Sequence, residues 1–427
     1  MPRPPGAPRG WRSLRVLMTT LGAAGDHLPL LGVARALAAR GHGLMCALDE
    51  PWRTRAEALG LEAVSLGPAP VVVQRGSMTR PVEGSIAFLR RAVIPRVPAM
   101  VEALERASRA HRADVILGHH ISLGAPWAAR RLGIPWAMAC VAPASWTSLE
   151  QVTVYPGMPD KDRYSPRVMR GAVALGKRVT NALVDPLLNR HRRALGLPVA
   201  RGTMFNEMFS GIVNLGLWHP VFRAPAADDA PRSTVCGFVR PPELLVADPR
   251  PGARVRAFLE RGAPPIVITL GTSVPHAAER FFARALSWCA ATGTRAVLLT
   301  GGARVDPSLV PPCGIVEAYI PLEDLLPRAS AVVHHGGLGT IAAALRAGVP
   351  MVCVPHLHDQ FDNAARCRRL GVSVTVHRRH RGGLGAAIAR VTGDPSFRSA
   401  ARTVQAAIAG EDGANRAAEE LERAMGA

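Results

Sequence analysis

The stretch 331–371, AVVHHGGLGTIAAALRAGVPMVCVPHLHDQFDNAARCRRLG, indicates the fold class of this chain. An apolar strand at 331–334 leads into a glycine-rich turn and then into a helix at 340–347. A second apolar strand at 351–354 ends in the polar run Pro-His-Leu-His-Asp-Gln at 355–360. Strands and helices that alternate in this way are typical of a doubly wound parallel sheet.

The turn and the polar run both carry a binding signal. Glycines let the backbone approach a ligand closely, and the start of a helix offers free N–H groups to an anion. Thr340 is placed to cap the helix or to bond a phosphate oxygen, and His334 or His335 could donate a hydrogen bond to a phosphate. Asp359 beside Gln360 suits vicinal hydroxyl groups. Each motif alone also fits an ordinary capped connection, but together they indicate a nucleotide-sugar site.

The same alternation occurs on both sides of a proline-rich stretch between 220 and 251. Before it, the sequence predicts a glycine-containing loop at 22–29, helices at 30–40 and 124–132, and strands at 14–18, 44–48, 114–117 and 136–141. After it, the sequence predicts strands at 266–270 and 296–300 and a helix at 277–292. The prolines and an acidic pair are typical of an interdomain linker.

We therefore predict an α/β protein with two doubly wound, Rossmann-like parallel-sheet domains that face each other across a cleft. The predicted parts are a flexible tail, an N-terminal acceptor-binding domain, a linker and a C-terminal nucleotide-sugar domain, at 1–12, 13–220, 221–251 and 252–427. The last helix is a candidate to pack back on the N-terminal domain. Ligands of such sheets bind beyond the carboxyl ends of the strands, so we expect the site in the cleft.

The formal charge of +20 comes from 52 Lys+Arg against 32 Asp+Glu, yet only Lys161 and Lys177 are lysines. Such an arginine excess is typical of a GC-rich genome. No helix-turn-helix, zinc or RNA-binding aromatic pattern accompanies it, and aromatic residues make up 5% of the chain, so we expect no nucleic-acid partner. The seven cysteines form no CxxC pair, which predicts free thiols and a cytoplasmic protein.

On its motifs the chain resembles the family 1 nucleotide-sugar glycosyltransferases, which include macrolide, glycopeptide and sterol enzymes and have the GT-B fold. The matching segments are HHGGLGT at 334–340, AGVP at 347–350, HDQFDNAARCRRLG at 358–371, ITLGTS at 268–273 and GAAGDHLPLLGVARALAARGH at 22–42. The segments at 358–371 and 22–42 look especially like the rhamnosyltransferases of rhamnolipid synthesis.

The resemblance implies a role for each donor-site residue. The diphosphate would be held by His334, Gly336, Gly337, Gly339 and Thr340, with Thr272 and Ser273 closing on it. Tyr319 would stack on the base with Ile320 beside it, and Asp359 and Gln360 would hold sugar hydroxyls. Two positions depart from the family pattern, because Ala342 replaces a ribose-binding Glu and Leu322 replaces a frequent Gln. The resemblance therefore implies a UDP- or dTDP-sugar as co-substrate, and we expect no further cofactor.

An inverting transfer requires a base that takes the proton of the acceptor hydroxyl. In the family this base lies in G-H-x-x-P or G-D-x-x-P, where the present sequence places Asp26, with His27 next to it. The orienting Asp of many relatives is replaced by His119. Our hypothesis is a reversed Asp–His dyad in which either member is the proton acceptor. We expect no metal, because the helix dipole and His334 would stabilise the diphosphate.

The segment 161–201 carries ten Lys/Arg and two acids, with Val168, Leu175, Val179, Leu183 and Leu187 at helical spacing. The interpretation that we favour is a helix whose apolar face packs over the acceptor cleft. The alternative is peripheral contact with an anionic membrane or a lipid acceptor.

The predicted function is thus an inverting, metal-independent glycosyltransferase that acts on a hydrophobic, hydroxylated natural product or lipid. The alternative is an epimerase-like enzyme that processes nucleotide-sugars on the same fold.

Overall fold

A computed structural model describes residues 12–69, 81–155, 165–242, 252–271, 278–377 and 383–427. Thr272 and Ser273, which the sequence placed at the diphosphate, lie outside these described residues. The described part forms two parallel sheets with helices on both faces. Within this part, no helix is long and apolar enough to cross a membrane.

The first sheet has seven parallel strands in the order β3-β2-β1-β4-β5-β6-β7. Their bounds are β1 Arg15–Thr20, β2 Gly43–Glu50, β3 Glu62–Pro68, β4 Val115–His119, β5 Trp136–Cys140, β6 Asn214–Gly216 and β7 Ser233–Val235. The helices are α1 Ala24–Ala39, α2 Trp52–Ala58, α3 Pro81–Phe88, α4 Val97–His111, α5 Ala125–Leu132 and α6 Pro166–Ala194. A single π-helical turn, Leu89–Val93, follows α3.

The second sheet has six parallel strands in the order β10-β9-β8-β11-β12-β13. Their bounds are β8 Ile266–Thr269, β9 Ala296–Leu299, β10 Gly314–Glu317, β11 Ala331–His334, β12 Met351–Cys353 and β13 Ser373–Thr375. The helices are α7 Ala253–Glu260, α8 Ala278–Thr292, α9 Leu322–Leu325, α10 Leu338–Ala347, α11 Gln360–Arg369, α12 Gly383–Gly393, α13 Pro395–Ala407 and α14 Gly413–Met425.

Alternating side chains of the strands form a core on each face of a sheet. In β1, Val16 and Met18 pack in the cluster that contains Leu30 of α1, whereas Leu17 packs on the opposite face with Leu104 of α4. Because side chains alternate across a strand, a run of apolar residues in β1 serves both faces. In each sheet the strand order reverses beside the first strand, between β1 and β4 and between β8 and β11. Such a reversal opens a crevice at the carboxyl ends of the strands.

The structure corrects two predicted boundaries in the first domain. The first helix begins at Ala24 instead of residue 30, so Asp26 lies in a helical turn and not in a loop. Its carboxylate accepts the N–H of Ala23 at 2.8 Å, which caps the helix early, and the helix continues through Pro29. The proline-rich stretch is not all linker, because β7 lies inside it and pairs with β6 in the first sheet.

The C-terminal helix α14 packs against α1 of the first domain. Arg40 donates two hydrogen bonds of 2.7 Å to the Glu422 carboxylate, and His42 Nε2 lies 2.7 Å from the same group. Leu421 is fully buried in the same cluster as Leu30. The end of the chain therefore joins the two domains around a buried apolar contact and a charged group.

Candidate active site

Asp26 lies at the mouth of the first sheet, just beyond the carboxyl end of β1. Its Oδ2 atom accepts the Ala23 N–H, and its Oδ1 atom lies 3.7 Å from Nε2 of His119. Gly22 makes room for this arrangement, because it has a φ of 123° and a Cβ there would lie 2.4 Å from Asp26 Oδ2. The Asp26 side chain keeps 27% of its surface exposed. A small ligand can therefore reach this carboxylate.

His119 is the last residue of β4, the strand next to β1, and its side chain is fully buried. Within the described residues, neither of its ring nitrogens has a hydrogen-bond partner. Burial, together with the neighbouring His120 and His27, holds the pKa of His119 well below its usual value. His119 is therefore a neutral imidazole beside a carboxylate, at the point where the strand order reverses.

Burial also shifts the pKa of one carboxyl group on each side of the cleft. It raises the pKa of Asp26 to about 6, against the opposing effects of the Ala23 N–H and His27. It raises the pKa of Asp359, in the second domain, to about 7, and the charge of Asp26 adds to this shift. The two domains thus bring one carboxyl group each to a shared, poorly hydrated space.

His27 does not share this space. Its ring is fully buried, with Nε2 2.7 Å from Asp49 Oδ1 and Nδ1 3.0 Å from the Ala23 carbonyl oxygen. It stacks on Trp52 with a centroid distance of 4.6 Å. Since both nitrogens are engaged inside the domain, the structure separates His27 from the expected position of the acceptor. His27 is a catalytic candidate in the sequence because it is next to Asp26. Successive residues of a helix point in different directions, however, so the two side chains do not share a site.

The glycine-rich turn of the second domain joins β11 to α10. Gly336 has a φ of 94°, and its N–H donates to His334 Nδ1 at 3.1 Å. The helix begins at Leu338, two residues earlier than expected, with Gly337 as its N-cap. Thr340 is therefore a buried residue of the first turn and not the cap. The N–H groups of this first turn have no partner within the helix and face the turn.

The two histidines of the turn have different environments. His334 is fully buried, and its Nε2 lies 3.5 Å from Cys353 Sγ, so both ring nitrogens face the domain interior. His335 lies against Gly271 and Gly337, where an added Cβ would come within 2.7 and 2.6 Å of its ring. Its Nδ1 has no partner among the described residues, and burial lowers its pKa to about 3. His335 therefore has a ring nitrogen without a partner among the described residues, whereas both ring nitrogens of His334 have one.

Asp359 and Gln360 also differ in orientation. Gln360 Oε1 accepts the N–H groups of His356 and Leu357 at 2.8 and 3.0 Å, so it holds the preceding loop. Asp359 is partly exposed, and its Oδ2 accepts Nδ2 of Asn363 at 2.7 Å. The same Nδ2 donates to the Gly336 carbonyl at 3.0 Å. Asn363, which sequence reasoning missed, therefore ties the glycine-rich turn to Asp359.

Tyr319 and Ile320 follow β10 at the same edge of the second sheet. Ile320 is buried, whereas Tyr319 is half-buried, and burial raises the pKa of its phenol to about 12. Glu323 and Asp324 add to this shift. Tyr319 therefore offers a neutral ring with part of its surface open.

Three contacts that sequence reasoning missed close the cleft from the second domain. Asp362 Oδ1 accepts the Val154 N–H at 3.0 Å, and its partner Arg366 donates to the Gln151 carbonyl at 3.3 Å. His358 Nδ1 lies 2.9 Å from Ser85 Oγ in α3. Nothing in the spacing of 358–366 indicates a partner more than 200 residues away. These contacts position the segment after β5 and the helix α3 beside the donor loops.

Comparison with known proteins agrees with this geometry. Residues 294–423 match the family described as erythromycin biosynthesis protein CIII-like, C-terminal domain. The chain is 29% identical to O-mycaminosyltylonolide 6-deoxyallosyltransferase of Streptomyces fradiae, over 95% of this chain and 96% of that protein.

Solved structures show the same fold. The glycosyltransferase of kitacinnamycin has a TM-score of 0.71 at 23% identity, over 97% of this chain and 99% of that one. A Streptomyces sp. SF2575 glycosyltransferase complexed with thymidine diphosphate has a TM-score of 0.62 at 22% identity, over 96% and 99% of the two chains.

Two parallel-sheet α/β domains, together with the structural neighbours, define the GT-B fold of sugar-transfer enzymes. Over nearly its whole length the chain is similar to glycosyltransferases of natural-product biosynthesis, so it is a glycosyltransferase. The epimerase-like alternative is accordingly set aside.

Proposed function

We propose that the enzyme transfers a sugar from a dTDP-sugar to a hydroxyl group of a small hydrophobic natural product, by one inverting displacement that needs no metal ion. The observation that carries this proposal is the pairing of Asp26 with His119 opposite Asp359 across the domain cleft. Thymidine diphosphate is the ligand of one structural neighbour. Ala342, buried in α10, offers no carboxylate to a ribose, so UDP is the second choice.

In the proposed reaction, Asp26 takes the proton of the acceptor hydroxyl as its oxygen attacks the anomeric carbon. We assign this step to Asp26 because its carboxylate is partly exposed, whereas the His119 ring is fully buried. The neutral His119 would donate from Nε2 to Asp26 and hold the carboxylate toward the acceptor. The present 3.7 Å is longer than a hydrogen bond, as is common before substrates bind.

As the bond between the anomeric carbon and the diphosphate oxygen breaks, the leaving diphosphate gains one negative charge. We propose that the N–H groups of the first turn of α10, at Leu338, Gly339 and Thr340, stabilise it through hydrogen bonds and the helix dipole. His335 rather than His334 would add a donor, because its ring retains an unused nitrogen. These groups would stabilise the negative charge of the leaving diphosphate, as a divalent cation does in other enzymes.

The sugar would lie against Asp359. A carboxyl group with a pKa near 7 both donates and accepts hydrogen bonds around neutral pH, which suits a pair of sugar hydroxyls. Gln360 would act indirectly, since its amide oxygen holds the loop on which Asp359 lies. Tyr319 would stack on the thymine. The seven free cysteines fit a cytoplasmic enzyme.

A thermal-shift panel of UDP, dTDP and their sugars tests the donor assignment. Stabilisation follows ligand affinity, so we expect a larger increase in Tm with dTDP-sugars than with the matching UDP-sugars. No shift with either nucleotide would overturn the proposal. With a hydroxylated macrolide or aromatic aglycone as acceptor, NMR should show inverted anomeric configuration, and 5 mM EDTA should leave kcat unchanged.

A further inference from the structure

The long helix α6 has two apolar faces. One face carries the buried residues Met169, Val173, Val184 and Leu188, and the last two pack in the core cluster that contains Leu17 and Leu104. The other forms a stripe at spacings of seven, four and four residues, and its large side chains are 39 to 62% exposed: Val168, Leu175, Val179 and Leu183. These side chains point outward, so the expectation that they pack over the acceptor cleft is wrong. The reason is that a different set of apolar residues already forms the buried face of α6, so the stripe lies on the opposite, exposed face.

The exposed stripe continues into a pocket. Leu187, one turn after Leu183, lines a pocket of about 440 Å³ together with Ile86, Ala87, Arg90 and Arg91. The two arginines belong to the π-helical turn after α3 and are exposed. The stripe and the pocket therefore form one surface, which we call the α6 face and define as Val168, Leu175, Val179, Leu183 and the pocket residues.

The α6 face is bordered by positive charge. The helix contains seven basic residues and one acidic residue, Asp185, whose carboxylate is bound by the N–H groups of Gly202 and Thr203. Beside the stripe, Arg167, Arg170 and Arg178 are exposed, and like Arg90 and Arg91 they form no ion pair with any other described residue. An apolar stripe flanked by exposed guanidinium groups suits a partner that is apolar and anionic at once.

We propose that the α6 face binds the surface of an anionic lipid bilayer. The stripe would enter the acyl boundary, while the arginines reach the lipid phosphates on their flexible stems. A second copy of this chain is a poor occupant, because it would bring the same arginines against one another. A protein partner is disfavoured because α6 contains no Trp, Tyr or Phe, the residues that dominate protein interfaces. Valine and leucine insert shallowly, so binding is reversible and depends on anionic lipid.

Vesicle flotation of the full-length protein tests the proposal independently of the transfer reaction. With vesicles of 70% phosphatidylcholine and 30% phosphatidylglycerol in 50 mM NaCl, we expect the protein to float. We expect the bound fraction to fall at least about five-fold in 500 mM NaCl, or with phosphatidylcholine alone, because both remove the electrostatic attraction.

Two variants separate the apolar and charged contributions. The triple variants L175Q/V179Q/L183Q and R167Q/R170Q/R178Q should each reduce the bound fraction at least about five-fold. Matched controls make the same number of changes elsewhere: L149Q/V199Q/L309Q removes three exposed apolar side chains, and R254Q/R261Q/R402Q removes three exposed charges. Circular dichroism and the thermal shift with dTDP show that each variant remains folded.

Three outcomes would overturn the proposal. The first is a wild-type protein that stays at the bottom of the gradient with anionic vesicles. The second is flotation of both α6 variants at the wild-type level. The third is a dimer in light scattering that L175Q/V179Q/L183Q converts to a monomer, since this would assign the α6 face to a second copy.

Discussion

The Oδ1 atom of Asp26 lies 3.7 Å from Nε2 of His119, an imidazole that has no hydrogen-bond partner among the described residues. The two residues are 93 positions apart and lie at or just beyond the carboxyl ends of adjacent strands of one parallel sheet. Parallel neighbours have their carboxyl ends at the same edge, so the sheet order β1–β4 brings an acid and an imidazole together.

Removing either member of this pair should slow the chemical step. We expect Asp26→Asn to reduce kcat by about 10²–10⁴-fold, the range for loss of a general base. His119→Ala should reduce it less, because the carboxylate remains. The control is Glu57→Gln, an exposed carboxylate on α2 that should have no effect. Steady-state rates that are near normal in both site variants would exclude the dyad.

The rate should depend on pH through Asp26. Its pKa of about 6 means that the ionised, proton-accepting form appears as the pH rises through 6. A plot of log kcat/KM should therefore rise below pH 6 and level off above it. A midpoint near 4 would mean that burial does not shift this carboxyl group, and a flat profile from pH 5 to 9 would argue against Asp26 as the base.

Asp26→Asn should also be more stable than the wild type. Folding raises the pKa of this carboxyl group from 3.8 to about 6, so the folded protein favours its protonated form. The contribution of this group to the free energy of unfolding is therefore fully present below pH 3.8 and is lost as the pH rises through 6. The lost stability is about 3 kcal/mol at most, by the usual 1.36 kcal/mol per pKa unit. An amide avoids this cost and can still accept the Ala23 N–H. Urea unfolding at pH 7.5 should show a gain of about 1–3 kcal/mol that shrinks toward pH 4.

An equal or lower stability of Asp26→Asn at pH 7.5 would contradict the shifted pKa. The comparison with Glu57→Gln distinguishes the effect of burial from a general effect of removing negative charge from a chain that carries +20. This second variant should not change stability by more than about 0.5 kcal/mol.

Two glycines of the donor turn should respond differently to alanine. Gly339 has no atom within 4 Å of an added Cβ, so Gly339→Ala should fold normally but weaken dTDP binding if the diphosphate occupies that space. Gly336→Ala should lower stability by about 1–3 kcal/mol, because of its φ of 94° and a carbonyl oxygen of Gln360 at 2.9 Å.

Calorimetry with dTDP and urea unfolding measure the two effects. The control is Gly393→Ala in α12, where the added methyl also meets no atom and no ligand is expected. Wild-type affinity for dTDP in Gly339→Ala would place the diphosphate elsewhere.

Much of the fold could be predicted from local patterns. The pattern predicts the strand Ala331–His334 with the observed bounds, because three apolar residues and a histidine before a glycine-rich turn leave few alternatives. The start of α1 could not be predicted in this way. Pro29 and two glycines suggest a loop, whereas the contact between the Asp26 carboxylate and the Ala23 N–H begins the helix earlier. Such a cap depends on a side-chain conformation that a pattern of residue types does not contain.

By itself, the sequence determined the alternation of strands and helices, the glycine turn before α10 and the positions of Asp26 and Asp359 at strand ends, because backbone preferences and hydrophobic periodicity act over a few residues. Only the tertiary structure decided which side chains face the cleft: it turned His27, His334 and the Gln360 amide oxygen inward, left Asp26 and Asp359 partly open, and pointed the second apolar stripe of α6 outward. These orientations depend on what each face packs against, and those partners lie up to hundreds of residues away in the chain.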